Sequence, residues 1–200
     1  MAIKFQFNKT SLQLLEKNLK VRVKALPTIK NKESALRVEV KKAKGEVKRL
    51  ESLLEEKIKQ YESMVALWGE FDTSLVKVDD VKMTIKKIAG VKTPIFEGVD
   101  FTIGQFSLFN KPSWFPLGIE LIKQLAQVGI EREFFFQKMI LLEHARKKTT
   151  QKVNLFEKVQ IPGYSDAIRK VKRFMEDEEN LSKSAQKIVK GRQQKKEAEV

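Results

Sequence analysis

The first third of the chain carries apolar residues at alternating steps of four and three. This seam consists of Leu36, Val40, Ala43, Val47, Leu50 and Leu54, and Tyr61 and Val65 extend it with a slight slip. Such spacing is typical of a coiled-coil helix. A similar stripe lies upstream and consists of Leu12, Leu15, Leu19, Val23 and Leu26. Pro27 falls between the two stripes and predicts a kink or a break, because proline removes a backbone donor and clashes with the preceding turn.

A second helical pattern begins near Pro116 and occupies the rest of the chain. Its apolar positions are Ile119, Ile122, Leu125, Val128, Phe135, Met139, Leu142, Thr149, Val153, Phe156, Ile161, Ile168, Val171, Met175, Leu181, Ala185 and Ile188. Pro162-Gly163 interrupts the pattern, but the periodicity resumes beyond it and no loop-like stretch surrounds the pair. A kinked, continuous helix is therefore predicted.

The middle of the chain has a different composition. Of the 17 aromatic residues, 12 lie between positions 61 and 140, and residues 88–104 mix β-branched and aromatic residues with Gly and Pro. This mixture predicts short strands and turns, with Pro94 at a sheet edge. The whole pattern predicts a mainly α fold: a long antiparallel two-helix coiled coil formed by the N- and C-terminal helices, with a small middle head that contains a short β-hairpin. The expected boundaries are 1–65 for the first helix, 66–117 for the head and 118–200 for the last helix.

Charge separates the ends of the chain from its middle. The formal net charge is +14, of which residues 1–60 contribute +9, residues 61–140 contribute −1 and residues 141–200 contribute +6. A basic rod is attracted to acidic surroundings, which include nucleic acid, anionic lipid and acidic protein cavities. Basic partner-binding candidates lie on both terminal segments: Lys17, Arg22, Lys24, Arg169 and Arg173.

The aromatic residues of the middle exceed what a thin coiled coil can bury, so part of this region is expected to dock a partner. Aromatic partner-binding candidates are Trp68, Phe71, Phe106, Trp114 and Phe134. Three consecutive phenylalanines at 134–136 cannot all face one narrow seam. At least one of them is therefore expected to meet a partner or the head.

No arrangement of residues predicts catalysis. The chain has no cysteine, which fits a reducing compartment, and its single histidine, His144, has no second histidine at zinc-binding spacing. Glu176 to Glu179 point to different sides of a helix and cannot converge on one ion. Glycine-rich phosphate loops are absent, so no catalytic residue, cofactor or metal is expected. No apolar run reaches the length of a signal peptide core or a membrane span.

Three stretches resemble the D subunit of the V-type rotary ATPases. The most specific is residues 148–168, which read Lys-Thr-Thr-Gln-Lys-Val-Asn-Leu-Phe-Glu-Lys-Val-Gln-Ile-Pro-Gly-Tyr-Ser-Asp-Ala-Ile. The others are Gly90-Val-Lys-Thr-Pro94 and the Leu- and Lys-rich residues 12–39. Gly163-Tyr164 replaces the family's common Arg-Leu, Gln151 replaces a basic residue, and Pro27 interrupts the Leu/Lys run. These departures indicate a divergent bacterial branch.

The resemblance implies a non-catalytic rotor shaft. In this family the two terminal helices form a coiled coil inside the ring of nucleotide-binding A and B subunits, and the middle faces the small F subunit and the connector to the membrane rotor ring. It implies a cytoplasmic location at the membrane periphery, with no direct membrane insertion and no direct contact with nucleic acid. The alternative is a basic coiled-coil protein that binds nucleic acid or forms the stalk of an export apparatus. Steep weakening of binding with salt would favour nucleic acid.

Overall fold

The computed structural model describes residues 3–62, 68–107, 109 and 111–198. Its elements are α1 (Lys9–Gln60), a 3-10 turn (Thr73–Leu75), β1 (Val76–Ile88), β2 (Val91–Ile103), α2 (Phe115–Asn154), a π-helical turn (Leu155–Gln160) and α3 (Ile161–Ala198). The predicted mainly α fold, with long helices at both ends and an antiparallel hairpin between them, is confirmed. Val65 and the expected boundary after it lie outside the described residues.

The chain divides into two compact units. Unit 1 consists of Met1–Asn31 and Thr149–Val200, and unit 2 consists of Lys32–Lys148.

Helix α1 is continuous, so of the predicted kink or break at Pro27 the break does not occur. Asn8 caps its first turn, because the Asn8 side-chain oxygen accepts a 2.7 Å hydrogen bond from the Ser11 backbone N–H. Pro27 lies inside the helix. A proline in a helix interior costs about 3 kcal/mol, which the many residues on either side of Pro27 offset by continuing the helical ladder.

Unit 1 is an antiparallel pair of helical segments with a thin core. Leu15 of α1 packs against Ala167 and Val171 of α3, and all three are buried. The extended N-terminal segment adds Ile3 and Phe5 to this cluster. The antiparallel direction follows from side-chain contacts, because Glu16 pairs with Lys172 at 3.0 Å whereas Lys30 pairs with Glu157 at 2.8 Å.

The outer stripes of unit 1 are less buried than their periodicity predicts. Val23 is exposed, and so are Leu181 and Ile188 on α3. The residues just before α1 already reach α3 at Phe174, whose ring centroid lies 4.8 Å from that of Phe7. The later turns of α3 therefore lie past the start of α1, which cannot cover them.

The chain stays helical from α2 through the π-helical turn into α3, as predicted. At the end of this turn the Ile161 N–H donates to the carbonyl of Phe156, five residues earlier. Pro162 follows at once and has no N–H to donate. A wider turn just before a proline gives its ring room against the preceding carbonyls, which explains why the helix continues.

Unit 2 contains the predicted coiled-coil seam. Its buried members on α1 are Leu36, Val40, Ala43, Val47 and Leu50, and Leu54 is half-buried. Arg132 of α2 donates to Glu51 at 2.6 Å, and Lys57 donates to Gln124 at 3.1 Å. Higher-numbered residues of α1 contact lower-numbered residues of α2, so the helices of unit 2 are also antiparallel.

The hairpin is longer than predicted. Each strand has 13 residues, and β1 occupies a stretch that sequence reasoning did not assign to a strand. Ala89 and Gly90 form the two-residue turn, both with positive φ (49° and 78°), as a type I′ turn requires. Pro94 lies opposite Ile85 in the ladder, and a sheet of two strands leaves an edge on each strand, where proline is tolerated.

Apolar contacts fix both ends of the hairpin within unit 2. At its base, Leu75 packs with Phe71, Phe115 and Ile119 in a buried cluster. Towards its tip, Ala89 and Val91 pack on a second cluster of three buried residues, which are Leu36, Val40 and Leu142. The hairpin therefore lies along the helix pair of its own unit.

Candidate interaction surfaces

Four of the five basic candidates are exposed on unit 1. Lys17 and Lys24 project from α1, and Arg169 and Arg173 project from α3. Arg169 forms an ion pair with Asp166 at 2.7 Å, one turn away on the same helix. Exposed pairs of this kind contribute about 0–1 kcal/mol, so such a side chain exchanges partners easily.

Arg22 differs from the other basic candidates because it is half-buried. Its Nε donates a 2.8 Å hydrogen bond to the Gln160 side chain at the end of the π-helical turn. Its guanidinium carbon lies 4.4 Å from the centre of the Tyr164 ring, within cation–π range. Arg22 thus connects α1 to α3 inside unit 1.

The aromatic candidates of the head mostly pack against each other. The rings of Trp68, Phe71, Phe106 and Trp114 surround Phe115, whose side chain is fully buried. Phe71 is 5.1 Å from Phe115 and 5.8 Å from Trp114, centroid to centroid. A Cβ added at Gly118 would lie 2.7 Å from the Trp114 ring, so only glycine fits beneath that ring.

Burial limits what this aromatic cluster can offer a partner. Phe71 is buried, whereas Trp68, Phe106 and Trp114 are each half-buried. The Trp114 Nε1 is buried and has no hydrogen-bond acceptor among the residues that the structure describes. Phe109 is fully exposed. The half-buried edges of Trp68, Phe106 and Trp114, together with Phe109, are therefore accessible to a partner.

Phe134 meets the hairpin, which confirms that one of the three consecutive phenylalanines contacts the head. Its ring lies 5.6 Å from that of Phe96 on β2. Phe135 and Phe136 instead lie against cations of α2, Lys138 at 5.5 Å and Arg132 at 5.2 Å. The three rings therefore point to different surroundings.

An open apolar groove lies beside Phe134. It has a volume of about 690 Å³ and lies between the hairpin and α2. The hairpin side is lined by Val81, Met83 and Pro94, and the α2 side by Ile130, Glu133, Phe134, Gln137, Lys138, Ile140, Leu141 and His144. Sequence reasoning missed Met83 and the neighbouring Ile85, which are both exposed. Their alternation with Lys82, Thr84 and Lys86 was the signal for an amphipathic strand.

Hydrogen bonds within ion pairs shift the pKa of several carboxylates. Hydrogen bonding from Arg146 lowers the pKa of Glu143, and hydrogen bonding from Lys183 lowers the pKa of Glu179. In the described part of the chain, no three His, Cys, Asp or Glu side chains lie close enough to hold a metal ion. The carboxylates of Glu176 to Glu179 are all exposed.

None of the described helices carries a stretch that is long and apolar enough to cross a bilayer.

Comparisons with known proteins cover nearly the whole chain. A family model for the D subunit of ATP synthase matches residues 11–191. The V-type ATP synthase D subunit from Borreliella burgdorferi is 30% identical over 194 residues, which are 94% of this chain and 94% of that protein. The protein of the same name from Chlamydia trachomatis serovar L2 is 26% identical over 203 residues, 98% of this chain and 100% of that protein. That from Chlamydia pneumoniae is 26% identical over 185 residues, 88% and 87% of the two chains.

Proposed function

Because this chain belongs to the family of ATP synthase D subunits, we propose that it is the central-stalk shaft of a V-type rotary ATPase. In this role it transmits torque between ATP hydrolysis or synthesis in the nucleotide-binding ring and ion translocation in the membrane ring. The chain itself carries out no catalysis. It works in the cytoplasm, at the membrane periphery, as part of the complex.

The observation that carries the proposal is the antiparallel helix pair, which occurs in each of the two units. A shaft must be stiff along its length, and apolar residues between two helices stiffen both. It must also avoid a single strong anchor, because one tight contact would hold the rotor in one position. The exposed lysines and arginines of unit 1 suit this requirement, since each exposed ion pair contributes about 0–1 kcal/mol.

Different segments of the chain have different proposed partners. Residues 1–65 and 118–200 form the shaft, and Lys17, Lys24, Arg169 and Arg173 face the ring of A and B subunits. Arg22 serves the same surface indirectly, because it ties α1 to the π-helical turn. Residues 66–117 form the head.

The aromatic residues supply the second partner surface. The accessible edges of Trp68, Phe106 and Trp114, together with Phe134, face the small F subunit and the connector to the membrane rotor ring. Phe71 supports this surface from beneath, since it is buried.

Truncation tests the proposal most directly. Complexes are reconstituted with the full chain or with a chain that lacks both segments of unit 1, and ATPase rate and ion pumping are measured side by side. We expect the truncated chain to abolish pumping while uncoupled ATP hydrolysis continues. The matched controls are Arg169→Ala and Arg173→Ala, which should keep most of the coupled activity because many weak contacts share the torque. Full coupled pumping after the double truncation would show that this chain is not the shaft.

A further inference from the structure

The groove between the hairpin and α2 carries a second coiled-coil seam. Ile130, Phe134, Gln137, Leu141 and His144 follow each other in steps of four, three, four and three, and all five line the groove. This spacing is the one that packs against another helix. Leu142, which packs against Leu36 and Val40 of α1, lies outside this series. Helix α2 therefore presents one seam to α1 and a second to the groove.

The hairpin covers the second seam only in part. Phe96 meets Phe134, but Leu141, Ile140 and Met83 remain 40%, 46% and 55% exposed. Isolated exposed apolar residues are ordinary, whereas a contiguous apolar strip with polar ends marks a site of association. The groove extends from Ile130 to His144, which is about 21 Å or four helical turns at 1.5 Å per residue.

Several exposed basic side chains lie near the hairpin tip. Lys87 continues the alternation that places Val81, Met83 and Ile85 on one face of β1, and it pairs with Lys92 across the hairpin. On α2, Lys148 lies one turn beyond His144 on the same face. The acid in the groove, Glu133, already pairs with Arg132 at 3.2 Å. An occupant is therefore favoured if it brings negative charge to the tip end.

A helix fits this groove better than an added strand. The ladder has two register shifts: one leaves Asp79 unpaired in β1, between Val78 and Asp80, and the other leaves Glu97 unpaired in β2, opposite Lys82 and Met83. Bulges and lysines on an edge strand discourage further strand pairing. The floor of the groove also has helical rather than strand spacing.

We propose that this groove binds an amphipathic helix of another subunit, about four turns long, whose acidic end lies at the hairpin tip. The helix inserts its apolar stripe between Met83 and Leu141 and packs against both α2 and the hairpin of unit 2. Its carboxylates, and the negative end of its dipole when that is its C-terminus, meet Lys87, Lys92 and Lys148. This inference rests on the proposed function, because it requires the chain to be one subunit of a larger complex.

Single cysteines test the inference cleanly, since the chain has none of its own. Met83→Cys and Leu141→Cys report on the groove, and Thr84→Cys is the matched control on the opposite face of β1. Maleimide labelling rates are compared between the isolated chain and the assembled complex. We expect the rates at positions 83 and 141 to fall by about tenfold or more on assembly, because a covered thiol reacts only after local opening, and the rate at 84 to change far less.

A photoreactive crosslinker on Leu141→Cys then identifies what covers the groove. Crosslinks to another subunit at residues three or four apart support a helix. Crosslinks at alternate residues indicate an added strand, and protection that grows with the concentration of the isolated chain indicates a second copy; either result overturns the proposal. Lys87→Glu with Lys92→Glu should restore much of the reactivity at Met83→Cys, whereas Lys77→Glu at the other end of β1 should not. Unchanged protection of Met83→Cys in the double variant would refute the claim that the acidic end of the helix lies at the hairpin tip.

Assembly itself separates the two claims. If the chain assembles with the nucleotide-binding subunits and Met83→Cys stays reactive, the helix proposal is wrong and the proposed function stands. If the chain does not assemble with them, the proposed function fails and the helix proposal fails with it.

Discussion

The two units use the same antiparallel helix pair and bury it to different extents. In unit 2 five consecutive seam residues of α1 are buried, and the hairpin and the aromatic cluster pack beside the pair. In unit 1 the buried cluster is Leu15, Ala167 and Val171, supported by Ile3 and Phe5. The units also differ in charge: unit 1 has 19 Lys and Arg against 9 Asp and Glu, and unit 2 has 21 against 17. Two helices alone cover only a narrow stripe of each other. The segments that pack beside the pair therefore decide how many apolar side chains are buried.

The aromatic cluster should give the largest effect. Phe115→Ala removes the fully buried ring of the aromatic cluster in unit 2 and should lower the free energy of unfolding by about 3–5 kcal/mol. Phe174→Ala, at a half-exposed ring of unit 1, is the matched control and should cost clearly less. Urea unfolding of both variants measures the difference. Equal losses would contradict the unequal burial of the two units.

Substitutions in the coiled-coil seam should give the next largest loss in the free energy of unfolding. Leu50→Ala leaves a cavity in unit 2 and should cost about 2–5 kcal/mol, whereas Leu14→Ala, at an exposed position of unit 1, should cost within about 0.5 kcal/mol. Lys48→Ala, outside the seam of unit 2, should match the small value. Hydrogen exchange shows in which unit protection is lost. A loss at Lys48→Ala as large as at Leu50→Ala would mean that the seam is assigned to the wrong face.

Arg22 tests whether unit 1 is held by polar contacts where its apolar core is thin. Arg22→Ala loses the hydrogen bond to Gln160 and the contact with Tyr164, and should cost about 1–3 kcal/mol. Lys17→Ala, exposed on the same helix, should stay within about 0.5 kcal/mol. Thermal unfolding of the two variants is the measurement, and indistinguishable midpoints would rule out a structural role for Arg22.

The smallest effect concerns pH. The pKa of Glu143 in unit 2 is lowered by Arg146, and that of Glu179 in unit 1 by Lys183. A lowered folded-state pKa gives stability that is present above the unfolded pKa and is lost as the pH falls through the folded pKa. Glu143→Gln should therefore flatten the acid limb of an unfolding series followed by circular dichroism. Glu179→Gln should flatten it less, because the Glu143 side chain is 36% exposed and the Glu179 side chain 65%. The reverse order would contradict the greater burial in unit 2.

The helices and the seam could be predicted from the sequence because their signal is periodic. The 4-3 spacing indicates the seam without knowledge of the helix that packs on it. Its first five members are all buried: Leu36, Val40, Ala43, Val47 and Leu50. Strand β1 was harder to recognise, since its apolar residues alternate with lysines and acids and its alternation shifts near Asp79. Its turn is Ala89-Gly90, which lacks the asparagine or aspartate that usually marks a type I′ turn.

The candidate surfaces were less predictable because they depend on pairing between distant segments. Arg22 reads in the sequence as one cation among many, and only the register of α1 against α3 places it at Gln160 and Tyr164. Phe71 reads as one aromatic of a surplus, yet it is buried by Trp68, Trp114 and Phe115. The groove needs both the hairpin and α2, so no single stretch of sequence could indicate it.

Pro27 and the π-helical turn lie at the same level of the helix pair in unit 1. Arg22 and Lys30, which flank Pro27 on α1, contact Gln160 and Glu157 of that turn. Both members of the pair therefore lose regular backbone hydrogen bonding at one cross-section. A helix pair deforms most easily where both helices lack regular hydrogen bonds at the same level. Bending and twisting of the pair in unit 1 should therefore be concentrated in this short stretch.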